Sequence, residues 1–388
     1  MTINEIIKTT GSSFYVFDTA ELKKRIAFLR ASLPPRVRLC YAVKANTFIV
    51  KELLNEVDRF EICSPGESRI CGRLGVMPEK TVISGLYKDP RNIEELVGGN
   101  GERVYTAESA SQLVLLSSLA KKYGKHIKVL LRITNDSQFG MDEADALAAL
   151  TDENFALLDF CGLQFFSGTQ KTSIKKARRE LTMMHTVFCK ARDIYGEKMR
   201  TLEYGTGFPV AYFADEAFDE SDFLSQFSQL LSELDDIPEI TLEIGRSIAA
   251  SCGSYYTRIE DIKRNKGLNY AITNGGMHQM VYFGQQMAMR TPVFEVYGKE
   301  NEPPANKYNI CGALCSMNDI ILKNASLPAV KPGDVICFHN TGAYCPTEGI
   351  SLFLSRELPA VYLWDGQNAV CVRKAFETSP LNTPGEII

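Results

Sequence analysis

Short apolar runs recur through the first two thirds of the chain, near residues 37–43, 59–63, 80–84, 103–106, 127–133, 157–165, 200–204 and 239–244. Between most of them, apolar positions return at helical spacing, over roughly 49–56, 66–74, 90–97, 108–123, 142–150, 171–195 and 217–235. The runs are nearly continuous in apolar residues rather than alternating, as expected of strands buried on both faces of a parallel sheet. Eight such strands alternating with helices predict an α/β chain built on a closed (β/α)8 barrel of the TIM type. A doubly wound open sheet competes on strand count alone. No Gly-x-Gly-x-x-Gly opens the first unit, which weighs against a dinucleotide site there.

From about residue 252 the period changes. Ser254–Ile262, Thr291–Val296, Tyr308–Ile310, Val335–Phe338, Ala360–Trp364 and Val370–Arg373 are separated by Gly, Pro and Asn turns and predict a C-terminal antiparallel β domain. A strand at 14–17 precedes the barrel and is expected to join that domain. The expected organisation is residues 1–18 with the β domain, 19–251 as the barrel and 252–388 as the β domain. The tail Thr378–Ile388, with its Pro, Asn and Gly, is expected to be poorly ordered.

Composition narrows the function. A formal net charge of −4 provides no basic field for nucleic acid or an anionic membrane. No apolar run reaches the roughly 20 residues of a spanning helix, and Met1–Glu5 lacks a basic region followed by an apolar core, so no signal peptide is expected. Eleven dispersed cysteines without C-x-x-C pairs suggest reduced thiols in a cytoplasmic protein. His126, His185, His278 and His339 show no metal-ligand spacing, and no metal is expected.

In such barrels chemistry sits at the C-terminal strand ends. Lys44 follows the first strand, in Tyr41-Ala42-Val43-Lys44-Ala45-Asn46, and Glu61 lies at the end of the second. Taken alone, Lys44 reads as a lysine snorkelling at the rim of a core. Gly205-Thr206-Gly207 can present consecutive backbone N–H groups to an anion, and Arg246 can add a charge-assisted fork. Lysine, anion cradle and the acid Glu243 together match what pyridoxal phosphate requires: an amine for the Schiff base, a phosphate nest, and an acid for the pyridine nitrogen.

These segments resemble the fold-type III pyridoxal-phosphate enzymes of the alanine racemase-like architecture, and the ornithine/diaminopimelate decarboxylase branch in particular. The resemblance runs from Tyr15 to about Leu363. It rests on the lysine motif, on Phe60-Glu61-Ile62-Cys63-Ser64-Pro65-Gly66-Glu67, on Gly205-Thr206-Gly207-Phe208-Pro209 and on Glu243-Ile244-Gly245-Arg246. In the β domain it rests on Cys311-Gly312-Ala313-Leu314-Cys315-Ser316-Met317-Asn318-Asp319 and Gly342-Ala343-Tyr344. The resemblance implies that Lys44 carries the cofactor and Glu243 meets its pyridine nitrogen. Thr169, Gly205, Thr206, Gly207, Gly245, Arg246 and Tyr344 would hold the phosphate, with Glu61 and Phe166 also against the cofactor. Cys315 would reprotonate Cα after CO2 leaves, reaching across from the second subunit of a homodimer with shared active sites.

Three departures bear on the substrate. Phe166 stands where the family usually stacks a histidine on the cofactor ring, and Gln164 replaces another frequent histidine. Ser316 stands where an acid usually follows the cysteine to meet a distal amine. The stretch Asn274–Tyr282 lacks the arginines that clamp a distal carboxylate, leaving His278 and Tyr282, with Ser316, as candidate substrate contacts. An unpaired distal charge in a closed site is rejected on the order of 10⁴-fold, so neither free ornithine or lysine nor diaminopimelate is expected as preferred substrate. Phe-Ser-Gly-Thr-Gln and Gly-Gly-Met-His-Gln resemble a natural-product sub-branch, some members of which act on carrier-tethered or conjugated amino acids. The expected activity is α-decarboxylation of a modified or conjugated L-amino acid, with diaminopimelate as the second choice of substrate. An amino-acid racemase and a non-catalytic binding protein on the same barrel are the alternatives.

Overall fold

The computed structural model describes residues 1–285 and 288–385. The chain forms two compact units. One comprises Ile26–Pro209 and Asp219–Ile248; the other comprises Met1–Arg25, Val210–Phe218 and the chain from Ala249 onward. The first strand, β1 (Phe14–Asp18), belongs to the second of these.

In the first unit β2 (Arg38–Ala42), β3 (Arg59–Ile62), β4 (Thr81–Ile83), β5 (Val104–Ala107), β6 (Ile127–Arg132), β7 (Leu158–Phe166), β8 (Thr201–Gly205) and β9 (Glu239–Ile244) close into a parallel barrel. The open-sheet alternative is excluded by the pairing of β9 with β2, Arg38↔Thr241 through Tyr41↔Ile244. Helix starts follow local chemistry. Ser64, Asp89, Ser109 and Ser173 each accept a backbone N–H at the head of a helix, and Pro65 and Pro90 occupy first-turn positions where a missing N–H costs nothing. The segment read as helical over 49–56 is a 3-10 helix, Thr47–Leu53, started by Asn46.

Barrel register sorts the chemistry into two layers. Phe166 pairs with Gly205, and Gly205 with Glu243. Two residues earlier, on the same faces, Gln164 pairs with Glu203 and Glu203 with Thr241.

The second unit adds β10 (Gly253–Asn265), β11 (Leu268–Thr273), β12 (Phe294–Val296), β13 (Asn306–Cys311), β14 (Ile320–Leu327), β15 (Val335–His339), β16 (Ala360–Trp364) and β17 (Ala369–Arg373). Their order is β14-β13-β11-β10-β1-β16-β17, with β15 bridging β10 and β12. This sheet is mixed, which corrects the antiparallel expectation: β1 runs parallel to β16, and β11 parallel to β13. Strand direction is set by the connections, which residue spacing does not report. A cluster of Phe14, Val16, Tyr256, Cys337 and Tyr362 anchors β1, with Phe14 stacked on Tyr256 at 4.9 Å. Near the C-terminus, Ser379–Asn382 forms a short helix whose Asn382 donates to the Leu352 carbonyl, so the tail is ordered further than expected. Residues 386–388, the end of that tail, lie outside the described residues.

Candidate functional site

Lys44 emerges one turn past β2, in the 3-10 turn Val43–Ala45. Its ammonium donates to Glu61 Oε2 at 2.6 Å and to Glu243 Oε1 at 3.3 Å, with Cys63 Sγ at 3.7 Å. Both carboxyls are buried while the lysine remains partly open. Burial is the largest single influence and would raise Glu61, but the Lys44 charge, the hydrogen bonds from Glu243 and Lys44 and the charge of Arg132 together outweigh it and hold this carboxyl at about 2. For Glu243, burial and then the negative charge of Glu61 dominate, pushing it up to about 8. One ammonium therefore serves two carboxyls, and Glu243 is the one that keeps its proton at neutral pH.

The loop after β8 forms the cradle. Gly207 adopts φ +57°, and a Cβ there would lie 2.1 Å from the Gly168 carbonyl. At Gly205 a Cβ would stand 2.5 Å from the Phe166 ring, which covers that strand end. Thr206 N–H and hydroxyl both donate to the Glu243 carbonyl, tying the cradle to β9. Arg246, buried at the head of a short helix after Gly245, donates from Nε to Thr169 Oγ1 at 3.2 Å. Phe166, Thr169, Gly205, Thr206, Gly207, Glu243, Gly245 and Arg246 thus come together around neighbouring strand ends.

Sequence reasoning missed Lys171, which sits behind this cradle. Its buried ammonium donates to Glu180 Oε2 (3.0 Å), Tyr204 Oη (3.0 Å), Ser167 Oγ (3.3 Å) and the Gly205 carbonyl (3.1 Å). Its own N–H donates to the Gly207 carbonyl at 2.9 Å. Burial lowers Lys171, and Glu180 works against that shift. The layer beneath was also missed. Glu203 is fully buried, accepts from Gln164 Nε2 at 2.7 Å, and is pushed up to about 7 by burial. Among the described residues, Glu203 Oε2, Gln164 Oε1 and Thr241 Oγ1 find no hydrogen-bond partner, so the layer carries unused polar capacity.

In the second unit, Cys315 is exposed at the tip of the loop between β13 and β14. Asp319 builds that loop: buried, it accepts Leu314 N–H and Met277 N–H at 2.8 Å each. A Cβ at Gly312 or Gly276 would meet its carboxylate, at 2.2 and 2.6 Å, which explains both glycines. An open groove beside Cys315 is lined by Lys263, Tyr270, Leu314, Ser316 and Met317. His278 is buried, and neither ring nitrogen has a partner among the described residues. Burial, then the charge of Arg356, lowers it to about 4 and keeps it neutral. Tyr282 does not sit where a substrate contact was expected: it is 1% exposed, and its hydroxyl is spent on the His339 carbonyl at 2.5 Å. Tyr344 is half-buried with φ +66°, a strained conformation for a bulky residue. All eleven cysteines are free thiols.

Residues 19–250 match the family model described as "Pyridoxal-dependent decarboxylase, pyridoxal binding domain". The chain belongs to the pyridoxal-dependent decarboxylases. Two decarboxylase relatives cover most of it. The L-glutamyl-[BtrI acyl-carrier protein] decarboxylase of Niallia circulans is 28% identical over 88% of this chain and 86% of that protein. The diaminopimelate decarboxylase of Helicobacter pylori strain J99 is 26% identical over 88% of this chain and 87% of its own. The fold superposes on the crystal structure of a Helicobacter pylori diaminopimelate decarboxylase complexed with L-lysine, with a TM-score of 0.86, 23% identity and 98% coverage of both chains.

This decarboxylase is therefore a carboxy-lyase acting on amino acids with pyridoxal phosphate as cofactor, which sets aside the racemase and the non-catalytic alternatives. Its barrel fits that cofactor. Packing against the Gly168 carbonyl and the Phe166 ring leaves no room for a Cβ at Gly207 or Gly205, so the loop is bare backbone there; a buried arginine donates to Thr169, and a partly open amine faces a protonated buried acid. Among the described residues, no helix is long and apolar enough to cross a membrane.

Proposed function

We propose that the enzyme α-decarboxylates an L-amino acid whose side chain is modified or conjugated, including one tethered to a carrier. The observation that carries this is the groove beside Cys315. The residue after the cysteine is Ser316, Lys263 is a cation on the same wall, and the nearby Asp319 carboxylate is consumed by two backbone N–H groups. Such a groove suits a distal carbonyl or amide and opposes a distal ammonium. Neutral His278, with both nitrogens unspent, suits the same kind of group.

In this reading Lys44 holds the cofactor covalently, and Thr169, Gly205, Thr206, Gly207, Gly245, Arg246 and Tyr344 hold its phosphate. Glu243 keeps a proton for the pyridine nitrogen, while Glu61 orients Lys44 and draws its positive charge away from the open side. Phe166 offers an aromatic face to the ring in place of a titratable one. The bound cofactor supplies an electron sink for the pair left when CO2 departs. Cys315 then returns a proton to Cα, serving the partner copy in a cytoplasmic homodimer with shared active sites.

Steady-state CO2 release from diaminopimelate, ornithine and γ-glutamyl amides or thioesters tests the substrate. The conjugates should be preferred. Turnover of diaminopimelate or ornithine with kcat/KM of about 10⁴ M⁻¹s⁻¹ or more, in the ordinary enzyme range, refutes the reading.

A further inference from the structure

Far from the cradle, the helix Ile174–Tyr195 presents His185 and Cys189 one turn apart on the same face. The turn ahead of β9 brings Asp236 against them. His185 Nε2 lies 3.6 Å from Cys189 Sγ and 2.8 Å from Asp236 Oδ1, and Cys189 Sγ lies 3.8 Å from Asp236 Oδ2. All three side chains are accessible enough to be reached from solvent.

We propose that His185, Cys189 and Asp236 form a zinc site that staples the long helix to the turn ahead of β9. Zinc bonds of about 2.3 Å to sulfur and about 2.0–2.1 Å to nitrogen, at tetrahedral angles, hold those two donors about 3.6 Å apart. That is the separation seen between Cys189 Sγ and His185 Nε2. The carboxylate must open from its contact with His185 by about half an ångström to reach the same shell.

Arg192 supplies the outer support. Its Nη1 donates to the Asp236 carbonyl at 2.8 Å and its Nη2 to Oδ2 at 3.2 Å, which fixes the carboxylate and leaves Oδ1 turned toward His185. Binding exchanges the Cys189 S–H bond and the His185–Asp236 hydrogen bond for metal bonds; the thiol proton leaves to solvent, and the imidazole binds through a deprotonated Nε2 in the neutral tautomer that keeps its proton on Nδ1. Three protein ligands leave one of zinc's four positions for a water, which the exposure of the three side chains admits. A second grouping, Glu295, Cys337 and His339, lacks this access, because Cys337 is fully buried in the β-domain core.

The test is a titration of the dialysed holoenzyme with Co²⁺, read in the red ligand-field region where the cofactor does not absorb, followed by displacement with Zn²⁺. One equivalent of intense four-coordinate bands is expected. The bands should be lost in Cys189→Ala and in His185→Gln, while both variants keep wild-type CO2 release. Zinc X-ray absorption should show one sulfur at about 2.3 Å. If a variant misfolds, zinc protection of Cys189 from alkylation in the wild-type protein, mapped by mass spectrometry, replaces it. Only weak six-coordinate bands, undiminished bands in both variants, or alkylation of Cys189 unaffected by zinc overturns the proposal.

Discussion

Lys171 Nζ donates to the Gly205 carbonyl at 3.1 Å, so a buried ammonium stands directly behind the strand end that starts the anion cradle. Its ion pair with Glu180 is almost wholly buried, at 5% and 7% side-chain exposure. Removing Lys171 leaves the buried Glu180 carboxylate with the hydroxyls of Ser167 and Tyr204 and a longer ion pair to Lys176, at 3.8 Å; breaking a buried pair in this way costs up to about 3–5 kcal/mol.

Lys171→Met is therefore expected to lower stability by about 3 kcal/mol and to weaken pyridoxal phosphate binding at least tenfold. Equilibrium denaturation and absorbance titration of the resolved apoenzyme measure the two effects. The double variant Lys171→Met/Glu180→Gln should recover most of the stability but not the cofactor affinity, separating structural cost from cradle positioning.

The lysine was not legible in the sequence, because its partners lie nine residues on (Glu180) and 33 residues on (Tyr204), with no local periodicity to mark it. Lys44, Glu61 and Glu243 were legible for the opposite reason. Each follows or ends an apolar run, and parallel register brings such positions to one level of a barrel. The mixed sheet and the burial of Tyr282 depend on chain direction and packing, which one-dimensional spacing does not encode. The His185–Cys189 spacing was passed over, because the histidines were weighed only against one another, and Asp236 reaches the pair only through the fold.

Glu203 should make stability fall as pH rises. Its folded value of about 7 lies above the ordinary carboxyl value of 4.5, so between those limits the folded state binds more protons than the unfolded one. Stability is then lost progressively from about pH 4.5 to about pH 7 and stays lost above. A shift of this size corresponds to about 3 kcal/mol. Glu203→Gln should flatten this limb of the stability–pH profile and raise stability at pH 8, as followed by urea denaturation at several pH values. Glu61 acts oppositely: held at about 2, its contribution is present above about 4.5 and is lost as pH falls toward 2.

Asp319→Asn should loosen the cysteine loop while sparing the cofactor. Asparagine offers one acceptor oxygen where the carboxylate serves both Met277 and Leu314 N–H groups. Leaving one buried N–H unpaired costs about 1–3 kcal/mol. The thermal midpoint should drop and kcat should fall about tenfold or more, with the visible cofactor band unchanged. Loss of the band in this variant would detach Asp319 from the role given to it.

In the proposed function Lys44 is the lysine that carries the cofactor. Two other lysines compete by burial: Lys171, and Lys88, whose ammonium bonds Gly85 and Thr106 and is lowered to about 8 by burial. Borohydride reduction of the holoenzyme followed by peptide mass mapping places the pyridoxyl group directly. The added mass is expected on Lys44, with no labelling and no visible cofactor band in Lys44→Ala. Label on Lys88 or Lys171 in the wild-type protein would contradict it.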